Sequence, residues 1–170
     1  MKNGTLITSG RRPAVRLERD LRDSPSVVWR AITDREQLRS WFPCDVVVAG
    51  GQWQVGASIT FEFPPDVIDM TLTGEVLEVA EPNVLAYTWG EEILRFELSP
   101  NDTGGTRFVL INELAPGAAA RNAAGWEMCI DRLAGHGHGV NSWQDLFDSY
   151  AADFEPAIGP QEGPPEGYKH

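Results

Sequence analysis

The sequence is poor in cysteine and histidine, has no long apolar run and no dense basic segment, and each shortage removes a class of function. Its two cysteines, Cys44 and Cys129, lie far apart and outside any CxxC pair. Two reduced, partly buried thiols are therefore expected, not a disulfide framework or a zinc site. The histidines are His136, His138 and His170, with no carboxylate or thiol at ligand spacing. The HGHG run reads as the flexible end of a helix, and neither a metal nor a cofactor is expected. No apolar stretch approaches a membrane span, and MKNGTLITSGRRPAV lacks the apolar centre of a signal peptide. With reduced thiols, this points to the cytoplasm. The 14 basic and 25 acidic side chains leave a formal net charge of −11, which repels nucleic-acid phosphates and anionic membranes. All three histidines fall at or beyond the end of the longest helical segment, so no serine–histidine–carboxylate set can be assembled. Gly50-Gly51 and Gly104-Gly105 have the context of hairpin turns and not of a phosphate cradle.

What the chain does have is one long, Ala-rich segment of helical period, residues 117–136. Asn122, Trp126, Cys129, Ile130 and Leu133 recur at i, i+4, i+7, i+8 and i+11 and share a face. Glu127, Asp131 and Arg132 point away from it, as on a surface helix with one buried stripe. Nearly everything earlier alternates as strand: Val15 to Leu21, Ile59 to Phe63, Val84 to Trp89, Ile93 to Leu98 and Thr106 to Leu114. The alternation slips between Gly74 and Leu77, which predicts a bulge there. Ser24-Pro25 opens a first short helix that buries Val28, Trp29 and Ile32, and Asp34 with Gln37 forms a capping-box variant for a second. Trp143, Leu146, Phe147 and Tyr150 share a face of a last helix packed on the outside. One domain over 13–154 is expected, between a flexible lead-in (1–12) and a Pro/Gly-rich tail (155–170). A long helix after a run of strands fits one α+β arrangement, the helix lying in a curved antiparallel sheet.

Four patterns carry a resemblance: SPSVVWRAITDREQLRSWF (24–42), GEVLEVAEPNVLAYTW (74–89), FELSPNDTGGTRFVL (96–110) and GWEMCIDRLAG (125–135). Together they resemble the activator of Hsp90 ATPase homologue family, within the START-like and Bet v 1-like superfamily, over roughly residues 13–136. The resemblance implies a helix-grip fold, with about seven strands wrapped around a long C-terminal helix and two short helices after strand 1. It supplies no catalytic signature. The recurrent residues, here Trp29, Trp41, Pro82, Trp89, Gly105, Thr106 and Trp126, look like packing and turn positions. The fold hosts lipid carriers, hormone receptors, polyketide cyclases and co-chaperone domains, so the resemblance speaks for fold more than for activity. It also leaves a homodimer open.

On that layout Trp41, Phe61, Phe63, Met70, Tyr87, Trp89, Trp126 and Ile130 are the candidates to line a cavity between helix and sheet. The plain alternative for each is core filling. Arg19, Tyr87, Arg95, Asn112 and Cys129 are the chemically interesting residues at inward-capable positions. The first reading is therefore binding of a small apolar or aromatic molecule, without catalysis. A cyclase- or aromatase-type enzyme is the second, and it requires two of Tyr87, Arg95 and Asn112 to converge inside. A chaperone-associated interaction module is the third. Against it stands a 170-residue chain with no room for the second domain of the eukaryotic activator.

Overall fold

The computed structural model describes residues 2–135 and 142–164, so His136, His138 and His170 lie outside it. The alternating segments form one eight-stranded antiparallel sheet. Its strands are β1 (Gly4–Ile7), β2 (Ala14–Leu21), β3 (Asp45–Val48), β4 (Ser58–Glu62), β5 (Thr71–Ala80), β6 (Val84–Trp89), β7 (Glu92–Pro100) and β8 (Thr106–Glu113). They lie in the order β1-β2-β8-β7-β6-β5-β4-β3. The register shifts between Val76 and Glu78, where the broken alternation placed a bulge. Two residues before the shift the strands also pack closely. A Cβ at Gly74 would lie 2.0 Å from the Thr88 carbonyl oxygen and 3.0 Å from the Phe61 ring, so only glycine lets β5 and β6 approach there.

Among the described residues there are four α-helices: α1 (Pro25–Thr33), α2 (Arg35–Leu38), α3 (Ala119–Leu133) and α4 (Trp143–Ile158). Pro25 opens α1 as expected, but neither Ser24 nor Asp34 uses its side chain as a cap. The two helices are contiguous, and the Asp34 N–H closes α1 on the Arg30 carbonyl instead. Gly50 and Gly51 belong to a short helical turn (Ala49–Gly51), not a tight hairpin. The Asn101–Gly105 turn is held by the Asn101 side-chain oxygen, which accepts from the N–H groups of Thr103 and Gly105.

Two expectations about the ends need correction. The lead-in contains β1, which pairs with β2 from Gly4 opposite Leu17 to Ile7 opposite Ala14. This is the strand beyond the seven anticipated. Helix α4 continues past residue 154 to Ile158, and the chain then folds back, with the Glu162 N–H donating to the Gly117 carbonyl at 2.8 Å. Both segments pair through backbone groups, which composition does not report.

Helix α3 is covered on two sides. Trp126 meets Trp89 of β6 and Asn112 of β8, while Asp131 pairs with Arg19 of β2 at 2.8 Å. Glu127, expected to face solvent, is only 1% exposed because β1 and α4 lie over it. Its carboxylate accepts from the Asn3 N–H at 2.9 Å and from the Tyr150 hydroxyl.

Candidate functional site

The candidate site grows from the sheet row that runs Val76–Tyr87–Leu94–Asn112–Val15 across five strands. Cross-strand partners project from the same face, so Tyr87 and Asn112 share it, two strand spacings or about 10 Å apart. Trp41 follows α2 and stands edge-on to Phe96 and Phe108, with centroids 6.5 Å away in each case. Phe61 meets Trp89 at 4.7 Å and Tyr87 at 5.7 Å, and Phe63 meets Trp89 at 5.6 Å. Trp89 meets Trp126 at 5.7 Å. Six of the eight predicted lining residues, Trp41, Phe61, Tyr87, Trp89, Trp126 and Ile130, are buried here. Phe63 and Met70 are half-buried, and the Met70 carbonyl accepts from the Phe63 N–H.

Sequence reasoning missed Phe42, which joins the set by touching Trp41, Trp89 and Trp126 at 5.3–5.4 Å. It sits in the turn after α2, where neither a helical nor a strand period marks an inward position. Two indoles also terminate α1. Trp41 Nε1–H donates to the Ala31 carbonyl and Trp53 Nε1–H to the Thr33 carbonyl, both at 2.9 Å, which satisfies oxygens that a helix end leaves free.

The polar candidates separate. Arg95 is on the outer face, paired with Glu78 and Glu97. Arg19 is paired with Asp131, and its Nε has no hydrogen-bond partner among the described residues. Asn112 is fully buried and spent on its neighbours. Its oxygen accepts from Trp126 Nε1–H (3.1 Å) and the Asn122 amide (2.9 Å), while its own amide donates to Glu92 (3.1 Å). Burial pushes the Glu92 carboxyl above its ordinary range, against the hydrogen bonds from both asparagines. Tyr87 carries a phenol raised well above its usual value by burial and then by the neighbouring Cys44 thiol. Both thiols are free and buried. Burial drives Cys44 upward and takes Cys129 to about 11 in spite of the Arg132 guanidinium, so both stay protonated and unreactive at neutral pH.

A surface cleft flanks the C-terminal end of α3. With a volume of about 350 Å³, it lies between α1, the end of β2 and the last turn of α3. Leu21, Val28, Ala31 and Leu133 form its apolar walls and Trp41 its inner limit, with Arg22, Asp23 and Arg132 among the polar residues of its lining. Arg132 is fixed there by Nη2, which donates to the Trp41 carbonyl at 3.1 Å and lies 3.2 Å from Cys129 Sγ. Trp41 is therefore the one predicted lining residue that reaches both the ring cluster and the opening. Among the described residues no helix is long and apolar enough to cross a membrane.

Comparison with known proteins bears on this architecture. Among curated proteins, none matches the sequence. A conserved protein of unknown function from Enterococcus faecalis, EF2215, superposes with a TM-score of 0.75 at 21% identity, covering 90% of this chain and 91% of that one. CalU16 from Micromonospora echinospora gives 0.65 at 16% identity, covering 92% and 94%. Protein MLL2253 from Mesorhizobium loti gives 0.63 at 23%, covering 72% and 95%. At these identities the likeness is one of fold. The sequence profile described as "Activator of Hsp90 ATPase homolog 1-like protein" matches residues 23–137, from the start of α1 to just past α3. With well over half the chain matched and the sheet-and-helix grip present, the protein belongs to the activator of Hsp90 ATPase homologue family.

Proposed function

We propose that the protein binds a small, largely apolar or aromatic molecule without transforming it, in the cleft that Trp41 closes from within. The observation that carries this reading is the cleft itself. Its volume of about 350 Å³ falls in the range of roughly 300–1,000 Å³ typical of small-molecule sites, and a buried indole forms its inner limit. Behind that indole the Phe42, Trp89 and Trp126 rings continue the apolar surface toward the sheet. The buried polar groups favour holding over converting, since Asn112 is saturated by its neighbours and Arg95 faces outward.

The test is a fluorescence titration with N-phenyl-1-naphthylamine, a neutral apolar fluorophore. Saturable binding of one probe per chain is expected. Ala31→Trp places an indole in the cleft from the half-exposed side of α1 and should abolish that binding while leaving the thermal melt cooperative. No saturable binding, or binding indifferent to Ala31→Trp, overturns the reading.

A further inference from the structure

The distribution of arginines says more about the molecule this cleft would take. The chain has 12 arginines in a background of 25 acidic residues. Eight of them, Arg12, Arg16, Arg19, Arg35, Arg39, Arg95, Arg107 and Arg121, pair with a carboxylate. Among the described residues four do not, and two of these four, Arg22 and Arg132, line the same cleft. They come to it from separate parts of the chain, one just beyond the end of β2 and one in the last turn of α3. We propose that the molecule bound there carries a single anionic group, a carboxylate or sulfonate, which lies between Arg132 and Arg22 while its apolar body covers Leu21, Val28, Ala31 and Trp41. This inference rests on the binding reading above and deepens it.

Arg132 by itself has an ordinary explanation, because a cation in the last turn of a helix complements the negative end of its dipole. That explanation does not reach Arg22, which lies in the connection between β2 and α1. Nor does it account for how Arg132 is held. One terminal nitrogen, Nη2, is bound to the Trp41 carbonyl, and this fixes the guanidinium plane and leaves Nε and Nη1 as donors. A guanidinium already fixed in place loses little freedom on capturing an anion, and its fork geometry suits a planar carboxylate. Helix α1 begins at the same rim with no side-chain cap and no acidic residue in its first turn. Its positive end adds to the field there. Among the described residues Asp23 is the one carboxylate of the lining, so with two arginines these side chains carry one net positive charge, matched to a monoanion.

The experiment compares two fluorophores of similar ring system, neutral N-phenyl-1-naphthylamine and its sulfonated relative 8-anilino-1-naphthalenesulfonate. They are titrated into the wild type, Arg132→Gln, Arg132→Lys and Arg22→Gln, each first shown to melt cooperatively. Arg132→Gln should weaken the sulfonate by about tenfold, the loss of one charge-assisted contact, and the neutral probe by less than about twofold. Arg22→Gln should act in the same sense by several-fold, and Arg132→Lys should recover part of the loss. If both probes bind and the arginine variants leave the sulfonate unchanged, or weaken the two equally, the anionic group is refuted and the apolar cleft stands. If neither probe binds, the binding reading falls and this inference falls with it.

Discussion

The two ends of α3 are built on opposite plans. From its first turn to Glu127, every polar group that enters the interior is met by another. The Ala120 N–H is accepted by Gln161, Asn122 and Trp126 converge on Asn112, and Glu127 is held by Asn3 and Tyr150. At the last turn, Arg132 is tied by one nitrogen and lines a cleft that Arg22, also without a carboxylate partner among the described residues, lines as well. Buried polar groups are costly unless satisfied, so the first end is bound to one conformation. The second end has exposed groups with donors to spare beside a cleft. In one helix, the last sealed position, Glu127, and the open one, Arg132, are separated by about one and a half turns.

The sharpest way to break this contrast is a pair of substitutions measured by urea unfolding. Asn112→Leu removes the hub that Trp126, Asn122 and Glu92 share and leaves several buried groups without partners. At roughly 1–3 kcal/mol for each orphaned group after partial rearrangement, a loss of about 3 kcal/mol is expected. Arg132→Gln at the open end should cost less than about 1 kcal/mol, in line with surface substitutions. Equal effects at the two positions would dissolve the distinction.

A smaller effect is expected beside the sealed end, where α4 crosses α3. Tyr150→Phe deletes the hydroxyl that donates to Glu127 and accepts from the Gly4 N–H, at a cost of about 2 kcal/mol. Glu127 also sets a pH dependence. Burial raises its pKa, with the Tyr150 hydrogen bond opposing, so the folded state holds its proton more tightly than the unfolded chain does. Its contribution is therefore complete below the ordinary glutamate value of 4.5 and is lost as pH rises through the folded value. Glu92 shifts in the same direction, so the informative quantity is the difference between wild type and Glu127→Gln. The variant's stability should fall less between pH 4.5 and pH 8. A parallel pair of stability curves would sink the assignment.

The contrast also marks what the sequence reveals. Period-two segments and one long period-3.6 segment carry the sheet and α3, and even the slip near Val76 is legible because a bulge reverses the alternation. The rings of Tyr87, Phe61, Trp89 and Trp126 form a chain of contacts, and Trp41 joins it through Phe42. Phe42 is invisible to any period because it lies in a turn. Glu127 is misread for a different reason: α3's own pattern cannot report that α4 and β1 will cover its second side. The cleft is further from reach still. It exists because α1 and the last turn of α3 fail to close over Trp41, and a gap between elements leaves no signature in either one.

The smallest effect tests whether the returning tail belongs to the sealed end. Ala118, at the N-cap position of α3, has no side chain able to accept a hydrogen bond, and composition assigns the tail no structure. Yet Gln161 lies there. Its side-chain oxygen accepts from the Ala120 N–H at 2.8 Å, and its amide donates to the Pro116 and Gly159 carbonyls at 3.0 Å each. One residue thus does at long range what a serine or aspartate cap does locally, accepting from an amide that the first turn leaves free. Gln161→Ala should therefore destabilise the protein by about 1 kcal/mol, the usual worth of a cap. Because the tail borders the sealed end and not the cleft, neutral-probe affinity should be unchanged. Hydrogen exchange adds location to magnitude. Protection at Ala120 should fall while that of the Leu133 amide holds, whereas loss at both would mean that the tail supports α3 as a whole and not only its first turn.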